Sequence, residues 1–468
     1  MFGEHVCPQG HRGFKSLPLR SKFHPTQMEL RTLLEAQNYL FAQIDNHKKG
    51  LSPAYRLART KEILNHLDNP QEKLTVIHVA GTAGKGSTAY LISLILKSQG
   101  FRVGLHLSPH LVDIRERFQI NNRPISTQKF LKSLNSLLPV LKKTVKTPWG
   151  KPDYFEILTI LAFEIFHQER VDYAVIETGL GGLYDSTNAI GNPKKISVIT
   201  KIGFDHCQIL GNTLAEIAFQ KMGVVSNKSI VVTGDQRPTA SWMIKKTAKS
   251  KQAKLVKIEE GRNFQIKKVN SKGTSLSYYA HPLTLGLIGR HQAQNCALAL
   301  KTIEMVAKRD QVNLSWPKIE EVLAGACFPG RLEIINKDDK KIILDGAHNE
   351  EKMIALIETL KEVFPKKKFD FLIAFRKDKD AKKMIKKIIP LANKVTISII
   401  FSSHSNWQKL TYPPGKAEKT FHNFGFKKTT IIDEPQKAFE NSLDNNRPLV
   451  ITGSLYLVGE IYPLLSQG

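Results

Sequence analysis

The strand-like stretch Thr75-Val-Ile-His-Val-Ala80 runs directly into Gly81-Thr-Ala-Gly-Lys-Gly-Ser-Thr88, and an apolar run over residues 89–96 follows. The first part is rich in β-branched residues, which is typical of a strand buried on both faces, and the last part predicts a helix. Glycines between them let backbone N–H groups approach phosphate oxygens, and the N-terminus of the helix adds a partial positive charge. Lys85 can reach the outer phosphates, so the stretch predicts a nucleotide site.

This turn matches the general P-loop pattern G-x-x-x-x-G-K-[ST] only in part. Val79 stands where the first glycine belongs, and Gly86 separates Lys85 from Ser87. A glycine-rich turn without a ligand is the alternative interpretation. The nucleotide site is preferred because strand, turn, lysine and hydroxyls coincide in one stretch.

Short apolar runs rich in β-branched residues occur in two series along the chain. The first series continues over residues 103–107, 173–176, 196–202 and 230–233, and the second comprises residues 342–344, 369–374, 395–401 and 448–452. Helix-like segments between the runs predict parallel sheets built by right-handed crossovers. Pro317 and Phe328-Pro-Gly330 mark a linker between the two series.

The predicted fold class is therefore α/β with two domains. We expect a larger N-terminal P-loop-type ATPase domain with a mostly parallel sheet over residues 27–328. A smaller Rossmann-like C-terminal α/β domain follows over residues 329–468. Residues 1–26 stay unassigned, because they contain no apolar h-region and show no clear periodicity.

Composition does not identify a partner, but it argues against a membrane-spanning protein and a disulfide-rich secreted protein. The 468 residues include 69 Lys plus Arg against 42 Asp plus Glu, a formal charge of +27. Such an excess suits nucleic acid, a membrane surface or a small polyanion, and charge does not choose among them. The apolar runs fall short of the roughly 20 residues that a spanning helix needs. The four scattered cysteines favour a reducing compartment, so a cytoplasmic location is predicted.

Polar residues follow several of the predicted strands, where ligands of open α/β sheets collect. Ser108-Pro-His-Leu111, Glu177-Thr-Gly-Leu-Gly-Gly182 and Asp205-His206 each stand at or just after such a strand end. A carboxylate, a hydroxyl and an imidazole around a nucleotide could complete the coordination of Mg²⁺, which takes few protein ligands besides phosphates and water. Each feature alone is more typical of an ordinary polar residue, and only their joint position favours a metal site.

At this point the chain resembles a known family along residues 30–465. Its motifs come in the order seen in folylpolyglutamate synthases and dihydrofolate synthases, a branch of the Mur ligase superfamily. The motifs are Gly81-Thr-Ala-Gly-Lys-Gly-Ser-Thr88, Ser108-Pro-His-Leu111, Glu177-Thr-Gly-Leu-Gly-Gly182 with Asp185-Ser-Thr-Asn188, Gly203-Phe-Asp-His206, Gly289-Arg-His-Gln292 with Asn295, Pro329-Gly-Arg-Leu-Glu333, Asp345-Gly-Ala-His-Asn349 and Gly453-Ser-Leu-Tyr-Leu-Val-Gly459.

The resemblance implies an enzyme that is an ATP-dependent acid–amino-acid ligase. Such an enzyme adds L-glutamate to dihydropteroate, to (tetrahydro)folate or to both, through an acyl-phosphate intermediate. Its implied partners are these small molecules and ATP, without nucleic acid or membrane, and it is expected to be a monomer. The implied cofactors are ATP and Mg²⁺, with two ions expected, and a monovalent cation is a further candidate.

The resemblance also assigns roles to individual residues of the first domain. Ser108 and Glu177 are similar to the ligands of one Mg²⁺, and His206 is similar to a ligand of a second ion and to a catalytic residue. Lys221 resembles a catalytic lysine that is carbamylated, with an unmodified lysine pairing with phosphate as the alternative. The implied ATP-binding residues of this domain are Thr82, Gly84, Lys85, Gly86, Ser87, Thr88 and Asn295.

Further roles implied by the resemblance concern the linker, the second domain and the folate. Arg331 would face the γ-phosphate, Asp345 would bind ATP, and His348 would be catalytic. Arg115 and Asp185 would contact the folate, although Asp185 could instead brace the neighbouring turn.

Three positions depart from the family pattern. Leu183 replaces an arginine, Met222 replaces an alanine after the lysine, and Glu350 replaces a proline. Leu183 stands nearest the substrate motifs, so it predicts an altered contact to folate or glutamate.

Other functions stay open on the sequence. Another Mur-type amide ligase is the alternative within the same chemistry, and a nucleic-acid-stimulated ATPase is a less favoured alternative that the +27 charge suggests. A nucleotide-binding protein without catalysis would require loss of the candidate metal residues, which are all present.

Overall fold

The computed structural model describes residues 29–44, 52–337, 340–400, 410–443 and 447–465. The unassigned segment 1–26 lies outside them. The described chain divides into two compact units. Of the described residues, the first contains those up to Phe264 together with Gln294–Val322, and the second contains Gln265–Ala293 and those from Leu323 onward. The domain boundaries drawn from the sequence stay predictions.

The first unit is built on an eight-stranded sheet with the order β4-β3-β2-β5-β1-β6-β7-β8. The six strands from β2 to β8 in that order run parallel, and β3 and β4 are antiparallel additions at one edge. The strands are β1 (Val76–Ala80), β2 (Val103–His106), β3 (Phe118–Ile120), β4 (Arg123–Pro124), β5 (Tyr173–Glu177), β6 (Ile196–Ile199), β7 (Ile230–Thr233) and β8 (Lys254–Lys257).

Helices connect these strands, as the alternation in the sequence predicts. They are α1 (Leu33–Phe41), α2 (Pro53–Asn65), α3 (Lys85–Ser98), α4 (Thr127–Val145), α5 (Tyr154–Gln168), α6 (Cys207–Leu210), α7 (Leu214–Met222) and α8 (Pro238–Ser250). Two more, α9 (Arg290–Asp310) and α10 (Trp316–Ala324), provide most of the segment that returns to this unit. Among the described residues, none of the helices is long and apolar enough to cross a membrane.

The centre of this sheet is buried on both faces. All five residues of β1 are buried, and β1 lies between β5 and β6, with Val79 in register with Glu177 and Val198. Helix α3 packs on β1, β2 and β5 and buries Leu91, Ile92 and several neighbours completely. Each such side chain contributes about 1.5–3 kcal/mol of transfer free energy. The carboxyl ends of β1, β5 and β6 therefore meet at one edge on a rigid base.

Two segments of the first unit have a local structure set by hydrogen bonds. The stretch over residues 112–126 contains a 3₁₀ turn and the β3–β4 hairpin that extends the sheet. The first helix begins at Leu33, because Thr32 and Glu35 form a capping box that defines its start.

The second unit contains two sheets. The six-stranded sheet has the order β12-β13-β17-β14-β15-β16, parallel except for β12, and the three-stranded sheet has the order β11-β10-β9. Its strands are β9 (Phe264–Asn270), β10 (Gly273–Tyr278), β11 (His281–Leu285), β12 (Arg331–Lys337), β13 (Lys340–Asp345), β14 (Phe369–Ile373), β15 (Ala392–Ile397), β16 (Thr429–Ile431) and β17 (Leu449–Thr452).

Helices connect the parallel strands of the second unit as well. They are α11 (Glu350–Val363), α12 (Ala381–Ile388), α13 (Pro414–Asn423), α14 (Pro435–Asn441) and α15 (Leu455–Leu465). The predicted α/β fold class, with a large mostly parallel sheet and a second sheet domain, is confirmed. Cys207 and Cys296 are free thiols, whereas Cys327 is disulfide-bonded, which the cysteine count did not predict.

Candidate functional site

The glycine-rich turn after β1 lies against side chains from distant parts of the first unit. Gly84 has φ +85° and precedes α3, and a Cβ built there would lie 2.2 Å from Oδ1 of Asn295. A Cβ on Gly81, which has φ +149°, would lie 1.9 Å from Oγ1 of Thr200. Glycine is required at both positions because of the positive φ and the close approach. The predicted ATP-binding residue Asn295 is thereby placed beside the turn.

The turn is also held by the segment that follows β6. The backbone N–H groups of Thr82 and Ala83 donate to the carbonyl of Lys201 at 2.9 and 3.2 Å. The Thr82 hydroxyl donates to the Gly203 carbonyl at 3.0 Å and accepts from its N–H at 3.1 Å. The observed role of Thr82 is therefore to shape the turn, and its contact to ATP stays a prediction.

A lysine and a carboxylate face each other at the end of β5. Nζ of Lys85, the first residue of α3, lies 3.9 Å from Oε1 of Glu177, and the backbone N–H of Ser108 donates to Oε2 at 3.0 Å. The Glu177 side chain is only 6% exposed, so its charge acts in a poorly solvated site. The structure thus brings together Lys85, Ser108 and Glu177, as the sequence predicts.

Glu177 and the neighbouring Ser108 fit the requirements of a magnesium site. In the part of the chain that the structure describes, no group of three or more His, Cys, Asp or Glu side chains could hold a metal by itself. Mg²⁺ usually binds through one or two carboxylates together with phosphates and water, and Glu177 with a neighbouring hydroxyl residue supplies that minimal set.

Two buried hydroxyls at this edge have no hydrogen-bond partner among the described residues. They are Oγ1 of Thr88, in the first turn of α3, and Oγ1 of Thr178, directly after Glu177. A buried polar atom without a partner costs about 1–3 kcal/mol. Thr88 is a predicted ATP-binding residue, whereas Thr178 was missed, although its place after the strand-end carboxylate was a usable signal. Ser87 and Gly86 are likewise buried in this first turn.

His206 and Lys221 approach the same edge from the segment after β6. His206 has φ +51°, and its Nε2 lies 3.8 Å from Oδ1 of Asp205. Lys221 is 4% exposed, and its Nζ donates to the carbonyl of Gly81 at 2.8 Å. The structure therefore joins Lys221 directly to the turn, while carbamylation of this lysine stays a prediction.

The two predicted folate contacts are engaged within the protein. Nε of Arg115 donates to both carboxylate oxygens of Asp113 at 3.0 and 3.1 Å, and its NH1 donates to Thr127. The Asp185 carboxylate accepts from the N–H groups of Leu180 and Thr187 at 2.7 and 3.0 Å. Burial raises the pKa of Asp185. The observed role of Asp185 is to brace the turn, and both folate contacts stay predictions.

The second unit places Arg331, Asp345 and His348 around the end of β13. The Asp345 carboxylate accepts from the N–H groups of Leu332 and Ala347 at 2.9 and 2.8 Å. Burial raises the pKa of this carboxyl to about 6, against the charge of Arg331, which lowers it. Nδ1 of His348 donates to the Gly346 carbonyl at 2.8 Å, which leaves Nε2 to accept from Lys352 at 3.0 Å. His348 is thus held as a neutral imidazole.

Comparison with known proteins agrees with this geometry. Residues 79–303 match the model of the Mur ligase middle domain, and residues 331–464 match that of the dihydrofolate synthetase C-terminal domain. The chain is 32% identical over 421 residues to dihydrofolate synthase/folylpolyglutamate synthase of Bacillus subtilis, covering 88% of this chain and 95% of that protein. This chain belongs to the dihydrofolate synthase/folylpolyglutamate synthase family.

Solved structures of the family extend the match to the fold. Folylpolyglutamate synthase of Mycobacterium tuberculosis complexed with ADP has a TM-score of 0.83 at 25% identity, covering 93% of this chain and 98% of that one. A folylpolyglutamate synthase complex with AMPPCP and folate has a TM-score of 0.77 at 28% identity, covering 94% of this chain and 100% of that one. As a member of this family, the chain is an ATP-dependent ligase.

One departure from the family pattern has a clear structural setting. Leu183 donates its N–H to the Gln220 carbonyl at 2.7 Å, and a Cβ built on Gly223 would lie 2.3 Å from the Leu183 Cα. Leu183 therefore packs against the C-terminal end of α7, the part of the helix that contains Lys221. Its effect on a folate or glutamate contact stays a prediction.

Proposed function

We propose that this chain uses ATP to join L-glutamate to dihydropteroate, to a reduced folate, or to both. The observation that carries this proposal is the pairing of Lys85 with Glu177 beside the glycine-rich turn, in a chain of this family. The names of the relatives, dihydrofolate synthase and folylpolyglutamate synthase, support the two acceptors.

The chemistry explains why a nucleotide site is needed. A carboxylate is a poor acyl donor, because its negative charge and resonance disfavour attack by an amine. Transfer of the γ-phosphoryl group of ATP to the carboxylate makes an acyl phosphate with a good leaving group. The glutamate amine then attacks the acyl carbon, the C–O bond to phosphate breaks, and an amide, ADP and inorganic phosphate result.

The residues at the strand ends suit the first of these steps. The N–H groups of the turn, the N-terminus of α3 and the Lys85 ammonium would bind and orient the triphosphate oxygens. Glu177 and Ser108 would hold Mg²⁺, which when bound neutralises charge on the phosphates. The buried hydroxyls of Ser87, Thr88 and Thr178 provide further polar atoms at this edge. Asn295 lies against Gly84 and would form the wall of the nucleotide site on that side.

Several finer roles belong to the same proposal. His206 would hold a second Mg²⁺, and Lys221, fixed to the Gly81 carbonyl, would act beside it as a carbamate or as a free ammonium. In the second unit, Arg331 and Asp345 would bind ATP, and the neutral imidazole of His348 would act in catalysis. Arg115 and Asp185 would position the loops that receive the folate, and a monovalent cation is a further candidate cofactor.

We also infer that the enzyme works as a cytoplasmic monomer without nucleic acid. The relatives that support this inference include bacterial enzymes, and one relative, from Bos taurus, carries the name mitochondrial. The +27 charge suits anionic substrates. Neither another Mur-type ligase nor a nucleic-acid-stimulated ATPase is favoured by the comparisons.

Product analysis tests the proposal. The purified protein is incubated with ATP, Mg²⁺ and labelled glutamate, with dihydropteroate and tetrahydrofolate offered separately, and the products are resolved by mass. At least one acceptor is expected to gain the mass of a glutamyl residue, with ADP formed in equal amount. Lys85→Met is the matched inactive control. A wild-type protein that glutamylates neither acceptor would refute the proposal.

A further inference from the structure

A second polar pocket lies in the first unit, at the opposite edge of the sheet from the nucleotide turn. It has a volume of about 370 Å³. Lys195 directly precedes β6, Asn227 precedes β7 and Lys251 precedes β8, so the pocket lies at the amino ends of these parallel strands. The turn over residues 81–88 instead follows the carboxyl end of β1. The lining residues are Asn188, Ile190, Gly191, Pro193, Lys195, Gly223, Val225, Ser226, Asn227 and Lys251.

The pocket contains a buried cation that lacks a carboxylate partner. Lys195 is only 2% exposed, and its Nζ donates to the Ile190 carbonyl at 3.0 Å and to Oδ1 of Asn188 at 3.4 Å. No described carboxylate lies within ion-pair distance of this ammonium. Buried lysines are almost never left without a paired charge in proteins. An anion in the pocket would supply the missing charge.

The charged groups that act on Lys195 are two lysines and one carboxylate. Lys251 lines the same pocket, and both Lys251 and Lys61 act electrostatically against the Lys195 charge. Glu72 is the opposing group and acts more strongly than either lysine, and its Oε1 accepts from the Gly191 N–H at 2.7 Å outside the lining. Burial is the largest cause that lowers the pKa of Lys195, to about 8, which still leaves the lysine mainly charged at neutral pH. The lining itself contains Lys195 and Lys251 and no carboxylate, so the charged side chains that line the pocket are both positive.

Several acceptor groups of the lining are already used by the protein. The carbonyl of Gly223 accepts from Nδ2 of Asn188 at 3.1 Å, and that of Ser226 accepts from the Ser229 hydroxyl at 2.7 Å. Lys195 has three N–H donors but only two neutral acceptors. The Lys195 ammonium therefore keeps one N–H donor for an anion.

We propose that this pocket is a second ligand site that binds a small oxyanion, a phosphate or a carboxylate, through Lys195 and Lys251. Its volume is at the lower end of the range for small-molecule sites, about 300–1,000 Å³. The site is separate from the nucleotide site, and the proposal does not depend on the ligase reaction. Phosphate and carboxylate share the same recognition chemistry here, which is a charge-assisted hydrogen bond to an ammonium.

Isothermal titration calorimetry tests the site. Inorganic phosphate and succinate are titrated separately into the full-length protein with saturating AMPPCP and Mg²⁺, so that the triphosphate positions of the nucleotide site are already filled. Saturable binding of at least one anion is expected in the wild type. Lys195→Met and Lys251→Met are each expected to weaken it about tenfold or more, because a hydrogen bond to a charged group contributes about 1.5–3 kcal/mol.

Lys249→Met is the matched control, since Lys249 is an exposed lysine in the last turn of α8, two residues before Lys251 and outside the pocket. It is expected to bind like the wild type. Lys251→Met keeps the test valid if Lys195→Met fails to fold, because Lys251 is exposed. Absence of saturable binding in the wild type, or an equal loss in the Lys249 variant, would overturn the proposal. The identity of the anion that binds more tightly distinguishes a phosphate site from a carboxylate site.

Discussion

At the scale of single residues, the chemistry of the candidate site depends on a few fixed contacts. Glu177 is held by the Ser108 N–H and faces Lys85, and Lys221 is held by the Gly81 carbonyl. These contacts orient charged groups in a buried place before a substrate arrives. Such preorganisation is the usual source of large electrostatic effects on rate.

Replacement of Glu177 by glutamine tests its role as a magnesium ligand. Glu177→Gln keeps the shape of the side chain but removes the charge, so glutamate-dependent ADP release is expected to fall by about 10²–10³-fold. The melting temperature should change little. Glu321→Gln, at an exposed position in α10, is the control and should keep full activity. A Glu177→Gln enzyme with wild-type turnover would show that this carboxylate holds no essential ion.

Substitutions at two glycines with similar backbone geometry distinguish the effect of backbone strain from an effect on nucleotide binding. Gly84 has φ +85° beside Asn295, whereas Gly100 has φ +96° with open space around it. Alanine at either position is expected to cost about 1–2 kcal/mol of stability through the positive φ. Only Gly84→Ala should also weaken ADP binding, by about tenfold or more, because its Cβ displaces Asn295 from the turn.

The comparison uses calorimetric ADP titration together with chemical unfolding. If Gly100→Ala loses as much ADP affinity as Gly84→Ala, general destabilisation explains the effect and the contact with Asn295 is unimportant.

At the scale of elements, strands buried on both faces were predicted well, and strands with one polar face were not. The runs that predicted β1, β5, β6 and β7 are contiguous and apolar because both faces of these strands are covered. The strands β9 to β11 were missed. In β9 exposed and buried residues alternate in part, and hairpins rather than helices connect β9 to β11, so no crossover pattern marks them.

One helix carries a titratable group whose burial affects stability. Glu460 in α15 makes no hydrogen bond or ion pair with another described residue, and burial raises its pKa from 4.5 to about 7. The folded state therefore favours the neutral acid. Below about pH 4.5 the carboxyl is neutral in both the folded and the unfolded state. As the pH rises from there through 7, the unfolded chain ionises first, so the free energy of unfolding decreases.

Glu460→Gln is accordingly expected to be more stable than the wild type near pH 8, by about 1–3 kcal/mol, and equally stable near pH 4. Urea unfolding at the two pH values measures this difference. Glu358→Gln, exposed on α11, serves as the control and should be neutral at both. A stabilisation of the Glu460 variant that does not depend on pH would contradict ionisation as its cause.

At the scale of the whole molecule, the net charge of +27 acts on encounter with ligands rather than on fold. Both proposed sites, the nucleotide turn and the pocket around Lys195, take anions. A basic surface raises the local concentration of such ligands. It does not require a nucleic-acid partner.

This leads to a prediction for the ATPase reaction. ADP release is expected to require a folate acceptor and glutamate together, and to be unchanged by duplex DNA or RNA at physiological salt. A nucleic-acid-stimulated ATPase would instead show rates that rise with nucleic acid and fall steeply with salt. A coupled ADP assay with each component omitted in turn measures the difference, and stimulation by DNA without folate would reject the ligase interpretation.

The sequence by itself determined the parallel sheet, the nucleotide turn and the strand-end carboxylate at Glu177, because each is encoded by contiguous residues whose burial and backbone preference are local. Only the tertiary structure placed Asn295 against Gly84, Lys221 on the Gly81 carbonyl and Lys195 in a pocket with Lys251. These contacts join residues far apart in the chain, and they depend on which strands become neighbours, a choice made by packing rather than by any local pattern.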